Sequence, residues 1–165
     1  MVNRSPAVVT LPETGDLLHI VLDGLDEGVA YFDAADTLSV ANRQYRAFYP
    51  HLESLCNPGT PYHDILAADA AERLKHGLID DADSWVRQRL LAAKEGRHIF
   101  LQRQGDGRWL RISERRTEDG GLISMQTDVT DQRHREDELE RYASMLQNTL
   151  ENISQGIVAY DDEMR

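Results

Sequence analysis

The chain has 165 residues with 41% hydrophobic content, and its 29 acidic and 18 basic side chains give a formal net charge of −11. This size is enough for one domain with its own core, and the acidic balance speaks against a nucleic-acid partner because phosphate binding needs a basic patch. The single cysteine, Cys56, excludes an intrachain disulfide, and no apolar run reaches the roughly 20 residues of a membrane span. These features favour a cytoplasmic protein without membrane contact of its own.

The first part of the chain is predicted to form a helix, two strands and a second, short helix. Apolar residues recur at helical spacing over 16–26. The apolar runs 28–33 and 37–41 are separated by turn residues, which is typical of two strands joined by a tight turn. Asn42 follows at once, and it is well placed to cap a helix over 43–49.

The middle of the chain is predicted to be helical. Turn-forming residues occupy 51–61. A short helix is expected at 62–68 and a longer one at 83–95, with Asp83 or Ser84 as the N-cap of the longer helix. The carboxylates of the DDADSW segment are explained by this capping, so no metal site is predicted there.

The last third is predicted to contain three antiparallel strands and a long helix. The strands are expected at 97–103, 108–116 and 122–129, with GDG and EDGG as hairpin turns. The helix is expected at 130–153. Five strands with helices grouped between them predict an α+β fold.

The long helix has a narrow apolar seam. Its apolar residues recur at alternating spacings of three and four, which is typical of a helix that pairs with another helix and favours a parallel dimer over packing on its own domain. The residues of this predicted dimer seam are Leu139, Tyr142, Leu146, Leu150 and Ile153.

Together, these features resemble the PAS sensory domain. The resemblance rests on EGVAYFD, on Asn42 after the second strand, on the DGRWLRI hairpin and on GGLISMQTDVTDQRHRE, and it covers about 20–133. The NPGTPYHDIL stretch is similar to a PAS subgroup found in bacterial sensor histidine kinases and diguanylate cyclases. The resemblance implies a five-stranded antiparallel sheet around a small cavity, helices on one face, an N-terminal helix and a long C-terminal coiled-coil signalling helix.

The resemblance also implies a domain organisation. Residues 1–13 are expected to be a flexible leader, 14–130 the PAS domain, 131–153 the signalling helix linker, and 154–165 the truncated start of a second PAS domain. The last assignment comes from an internal similarity, because LENISQGIVAYDDEMR aligns with 22–37. Like that segment, it is expected to form a short strand after its Gly, followed by a turn that begins at the Asp. The identical pairs are Leu150 with Leu22, Gly156 with Gly28, and Asp161 with Asp33.

Two sets of functional residues follow from the family layout. Asp128 and Thr130 are similar to the family's closing Asp-x-Thr, and they are expected to couple the sheet to the signalling helix or simply to cap the junction. The ligand pocket is expected to be lined by Tyr31, Val40, Phe48, Ile65, Trp85, Leu101, Ile112 and Met125.

Coloured cofactors are not expected. Cys56 lies in SLCNPG, which lacks the reactive-cysteine motif of light-sensing PAS domains, so flavin is disfavoured. Among the histidines, His63 and His76 alone lie where a haem ligand of related domains would be, and isolated histidines are seldom ligands, so haem is disfavoured as well. The cofactor stays unknown, with a small metabolite or no ligand as the expectation.

The expected function is that of a regulatory sensor and dimerisation module in a bacterial cytoplasmic signalling protein, in the first place a sensor histidine kinase. The expected partners are a second copy of the chain and the downstream PAS and output domains of the same chain. No catalytic residues are predicted, so this fragment is not expected to be an enzyme. The alternatives are a ligand-free PAS interaction module and the sensor part of a diguanylate cyclase or phosphodiesterase.

Overall fold

The computed structural model of the chain describes residues 14–163 and, within them, the side chains of 15–151. Two compact units meet at the peptide bond between Asp128 and Val129: the α+β domain and the long C-terminal helix. The elements of the domain are α1 (Thr14–Asp23), β1 (Gly28–Phe32), β2 (Leu38–Ala41), α2 (Arg43–Phe48), a 3₁₀ helix (Pro50–Leu55), α3 (Tyr62–Lys75), α4 (Ala82–Ala92), β3 (Arg97–Arg103), β4 (Trp109–Arg116) and β5 (Leu122–Asp128). The predicted flexible leader, 1–13, lies outside the described residues.

The sheet has five antiparallel strands, as predicted, and their order is β2-β1-β5-β4-β3. Side chains alternate between a buried inner face and an outer face, since successive residues of a strand point to opposite sides. The core lies between the inner face and the helices. Its sheet residues include Phe32 and Leu110, and its helical residues include Tyr45, Ile65 and Val86.

Asn42 ties three elements together at one end of the sheet. Its Oδ1 accepts hydrogen bonds from the backbone N–H groups of Tyr45, at 2.9 Å, and Val29, at 2.8 Å. Its Nδ2 donates to the carbonyl oxygens of Leu22, at 2.7 Å, and Glu27, at 2.9 Å. This buried amide therefore caps α2, as predicted, and also fixes the segment that leads from α1 into β1.

The middle helices differ from the prediction in extent and capping. Helix α3 continues to Lys75, whereas the prediction ended it near residue 68. The prediction was too short because two charged residues, Asp69 and Arg73, occupy the buried face and interrupt its apolar pattern. Helix α4 is capped by Asp81, whose side chain accepts from the N–H of Ser84 at 3.0 Å, rather than by Asp83 or Ser84. A 3₁₀ helix replaces the first part of the predicted turn region.

The second unit is one helix, α5 (Thr130–Glu163). It includes residues 154–163, where the similarity to 22–37 predicted a strand, so that local prediction is wrong for this chain. A helix satisfies its backbone groups internally, whereas a strand needs a neighbouring strand to pair with. Whether 154–165 begins a second domain stays a prediction. No helix of the described range is both long and apolar enough to cross a membrane.

Candidate functional site

A small cavity lies between the inner face of the sheet and helices α2 to α4. Its volume is about 20 Å³, which is room for about one water molecule. We call it the inner cavity. Its polar lining consists of Asp69, Arg89, Gln102, Glu114, Ser124 and Gln126, and its aromatic lining of Tyr45, Tyr49, Tyr62 and Trp85.

A buried ion pair occupies the centre of this lining. Arg89 on α4 donates from Nη2 to Oε1 of Glu114 on β4 at 2.8 Å. The same oxygen accepts from the hydroxyl groups of Tyr62, at 3.0 Å, and Ser124, at 3.1 Å. Burial and the nearby Glu114 charge raise the pKa of Tyr62, so its hydroxyl remains a donor. These bonds offset part of the cost of burying the charges.

Several polar atoms of this cluster have no hydrogen-bond partner in the described part of the chain. They are Oε2 of Glu114, Nε and Nη1 of Arg89, and Oε1 of Gln126. Each such buried atom costs about 1–3 kcal/mol when left unsatisfied. The Arg89 guanidinium also lies 3.8 Å from the centroid of the Phe100 ring. The inner cavity therefore offers both donors and acceptors to a water molecule or a polar ligand.

A second buried pair lies beside the first. Oδ2 of Asp69 accepts from Nε of Arg73, at 2.9 Å, and from Nε2 of Gln102, at 3.2 Å. Nε2 of His51 lies 3.0 Å from Oδ1. Burial acts to raise the pKa of Asp69, but the hydrogen bond from His51 and the charge of Arg73 outweigh it and hold that pKa below its ordinary value. Asp69 is thus a carboxylate.

A larger, solvent-open pocket of about 250 Å³ lies on the flank of the domain. We call it the side pocket. It is formed by the start of the 3₁₀ helix, the C-terminal half of α3 and the turn between β3 and β4. Its lining includes Phe48, His51, Asp69, Arg73, His76, Gln104 and Arg108. Asp69 lines both this pocket and the inner cavity.

The structure brings only some of the predicted pocket residues to the inner side of the sheet. Ile65, Trp85 and Ile112 line the inner cavity, and Phe48 lines the side pocket. The other four predicted residues lie on the outer face, so their assignment to the cavity is wrong: Tyr31, Val40, Leu101 and Met125. The reason is strand parity, because an error of one residue moves a side chain to the other face.

Sequence reasoning missed the charged residues of the inner cavity. Glu114 is in phase with the buried Leu110 and Ile112 on β4, so the alternation along this strand could have placed Glu114 on the buried face. Asp69 and Arg73 are four residues apart on α3, which places them on one helix face. Neither pattern identifies the partner of Glu114, since Arg89 belongs to a different element.

The residues considered as cofactor ligands do not line the inner cavity. Cys56 is fully buried, and burial raises the pKa of its thiol. His63 is exposed, and His76 lines the side pocket rather than the inner cavity. Within the range that the structure describes, no three histidine, cysteine or acidic residues are grouped as metal ligands.

The predicted coupling residues stand at the junction of the two units. Strand β5 contributes Ser124 and Gln126 to the inner cavity and ends at Asp128. Helix α5 begins two residues later, at Thr130. The coupling role of Asp128 and Thr130 stays a prediction. On α5, the seam residues Leu139, Tyr142, Leu146 and Leu150 are exposed, and the side chain of Ile153 lies outside those described.

Comparison with known proteins identifies the family of this chain. The model of the PAS fold family matches residues 22–137, and the chain belongs to this family. The chain is 25% identical over 136 residues to the non-motile and phage-resistance protein of Caulobacter vibrioides. That match covers 82% of this chain but 15% of the relative, so the chain spans a small part of that protein.

Solved structures resemble the chain more distantly. The PAS domain of an HTR-like protein from Haloarcula marismortui has a TM-score of 0.44 and 18% identity, and the match covers 72% of this chain and 99% of that one. A domain of the sensory box sensor histidine kinase/response regulator from Geobacter sulfurreducens has a TM-score of 0.39 and 15% identity, with coverage of 69% and 93%.

Proposed function

We propose that this PAS domain is the sensory and dimerisation module of a bacterial cytoplasmic signalling protein, with a sensor histidine kinase in the first place and a diguanylate cyclase or phosphodiesterase in the second. The domain itself is the regulator and not the catalyst. The observation that carries the proposal is the buried Arg89–Glu114 cluster, which leaves polar atoms unpartnered in a cavity bordered by β5.

The unpartnered atoms give a ligand something to bind. A molecule that hydrogen-bonds to Glu114 Oε2 and Arg89 Nη1 supplies partners that the protein itself does not provide and so offsets their desolvation cost. Because the cavity has room for about one water, a larger ligand must separate the helices from the sheet. The ligand then favours one arrangement of the domain over another, and only this difference in affinity can produce a signal.

Strand β5 is the element best placed to transmit such a change. It carries Ser124 and Gln126 in the cavity lining and is followed directly by α5. A shift of β5 along or across the sheet therefore acts on the first turn of α5 through covalent connection, with Asp128 and Thr130 at the junction.

The output in this proposal is a homodimer formed through α5, which then acts on downstream PAS and output domains of the same chain. Four seam leucine and tyrosine side chains on α5 are 63–68% exposed, and their spacing suits pairing with a second copy of the helix.

The dimer is tested by substituting the seam. We expect Leu139→Ser combined with Leu146→Ser to shift the full chain from dimer to monomer in light scattering over a dilution series. The matched control is Leu91→Ser, because Leu91 is 62% exposed but belongs to α4 of the α+β domain and not to the seam. An unchanged dimer in the seam variant would refute this part of the proposal.

The second candidate is a ligand-free interaction module, which is favoured by the small volume of the inner cavity. Native mass spectrometry of freshly purified protein, together with its absorption spectrum between 300 and 700 nm, distinguishes the two. A bound small molecule that is lost in Glu114→Gln supports the sensor, and a Soret or flavin band would identify its chromophore. Protein of bare mass, unchanged by metabolite mixtures, supports the interaction module.

A further inference from the structure

The side pocket differs from the inner cavity in being open to solvent and large enough for a small molecule. Its volume is about 250 Å³, just below the range of about 300–1,000 Å³ that is usual for drug-sized ligands. The proposed sensory role of the inner cavity makes no use of it.

Gln104 provides an unpartnered donor in this pocket. The residue is 6% exposed. Its Oε1 accepts from Nη2 of Arg73 at 3.3 Å, and because arginine can only donate, this contact fixes the orientation of the amide. Nε2 is therefore the donor end of the amide; it is buried, and the described residues provide no acceptor for it.

The acidic groups of the lining are already engaged with cations. Their ion pairs are Asp69 with Arg73, Glu72 with Lys75, and Asp106 with Arg108. Arg108 uses Nε for its pair with Asp106, at 2.7 Å, and its two Nη groups are left as donors among the described residues. The donors that this lining offers to a ligand are Gln104 Nε2 and the Arg108 Nη groups, and they select an acceptor.

An apolar surface lies beside these donors. The guanidinium of Arg108 lies 5.4 Å from the centroid of the Phe48 ring, and Pro50 and Leu78 also line the pocket. A ligand that meets this surface has an apolar or aromatic body in addition to its acceptor group.

We propose that the side pocket is a second binding site, which takes a small monocarboxylate with an apolar or aromatic body. Its carboxylate accepts from Gln104 Nε2 and from the Arg108 guanidinium, and its body lies against Phe48. Because Asp69 lines both this pocket and the inner cavity, an occupant here acts on the same buried network as a ligand in the cavity, and the domain has two inputs.

Benzoate is the probe for this proposal, with benzamide and benzylamine as its neutral and cationic counterparts. Thermal unfolding of the full chain is followed by intrinsic tryptophan fluorescence at millimolar concentrations of each compound. We expect benzoate to raise the unfolding midpoint, because a ligand that binds the folded state stabilises it. Benzamide and benzylamine should bind about tenfold more weakly or not at all, since charge-assisted hydrogen bonds are the stronger kind.

The decisive variant is Gln104→Glu, which keeps an acceptor for Arg73 but replaces the free donor by a second acceptor. We expect it to abolish the response to benzoate. Arg108→Gln tests the same site from a more exposed position and should weaken benzoate binding about tenfold. Arg111→Gln, on the outer face of β4, is the matched control and should leave benzoate binding unchanged.

The proposal is overturned by any of three results. They are no response to benzoate, an equal response to benzamide or benzylamine, and a benzoate response that persists in both Gln104→Glu and Arg108→Gln. The sensory role of the inner cavity is tested separately, by native mass spectrometry of the natural chain and of Glu114→Gln, so a failure of the side pocket is distinguishable from a failure of the proposed sensory role.

Discussion

The two faces of the sheet differ in polarity, and the difference is the reverse of the usual one: polar side chains are buried on the inner face, and apolar side chains are exposed on the outer face. The inner face buries polar groups, among them Glu114, Ser124 and Gln126, each no more than 3% exposed. The outer face exposes the apolar side chains of Ile99 and Leu101, on β3. Burying a charge costs free energy unless it is paired, so the inner face depends on its buried pairs in a way that the outer face does not.

The largest expected effect comes from breaking the buried ion pair on the inner side. Arg89→Met leaves the Glu114 carboxylate buried without its cation, and we expect a loss of about 3–5 kcal/mol in the free energy of unfolding, measured by urea denaturation. The matched variant on the outer face is Arg111→Met, which should change stability by less than about 0.5 kcal/mol. Similar losses in both would contradict the contrast between the faces.

The next effect is steric and concerns Gly28, at the start of β1 on the inner side. A Cβ at this position would lie 2.9 Å from Cδ2 of Phe48 and 3.1 Å from Oε1 of Gln126. We therefore expect Gly28→Ala to cost about 1–3 kcal/mol through overpacking. Gly15→Ala is the control, because a Cβ on Gly15 meets nothing within 4 Å and should leave stability the same or slightly higher.

A third effect depends on pH. The pKa of Asp69 lies below its ordinary value of 3.8 in the folded state, so below that value the unfolded chain takes up a proton that the folded chain does not. The stability contributed by this carboxylate is present above about pH 4 and is lost as the pH falls through the lowered pKa. Urea denaturation between pH 5 and 2.5 should therefore show a steeper loss for the natural chain than for Asp69→Asn. Parallel curves would exclude this contribution.

The smallest effect is expected on the outer face. Met125 is 40% exposed, so Met125→Ala should cost well under 1 kcal/mol of stability. Ile112→Ala, on the inner face of the neighbouring strand, should cost about 2–5 kcal/mol because it leaves a cavity. If the two variants unfold at the same urea concentration, the assignment of faces is wrong.

The misplaced pocket residues show where sequence reasoning stops. On β3, the apolar Ile99 and Leu101 lie on the outer face, whereas Phe100 and the polar Gln102 lie on the inner face. A rule that puts apolar residues inside therefore selects the wrong phase of this strand. The same rule works on β4 for Leu110 and Ile112, which are buried. It fails there for Glu114, which is charged but is buried on the same face.

The features that depend on neighbours along the chain could be predicted from the sequence. The five strands, the two hairpins, the Asn42 cap and the long helix were predictable, because hydrogen-bonding caps, turn residues and hydrophobic periodicity act over a few residues. Which face of each strand is buried, and which charges pair on that face, depends on tertiary packing. Arg89 and Glu114 are 25 residues apart, and their pairing depends on the packing of α4 over β4, a long-range arrangement that no local pattern encodes.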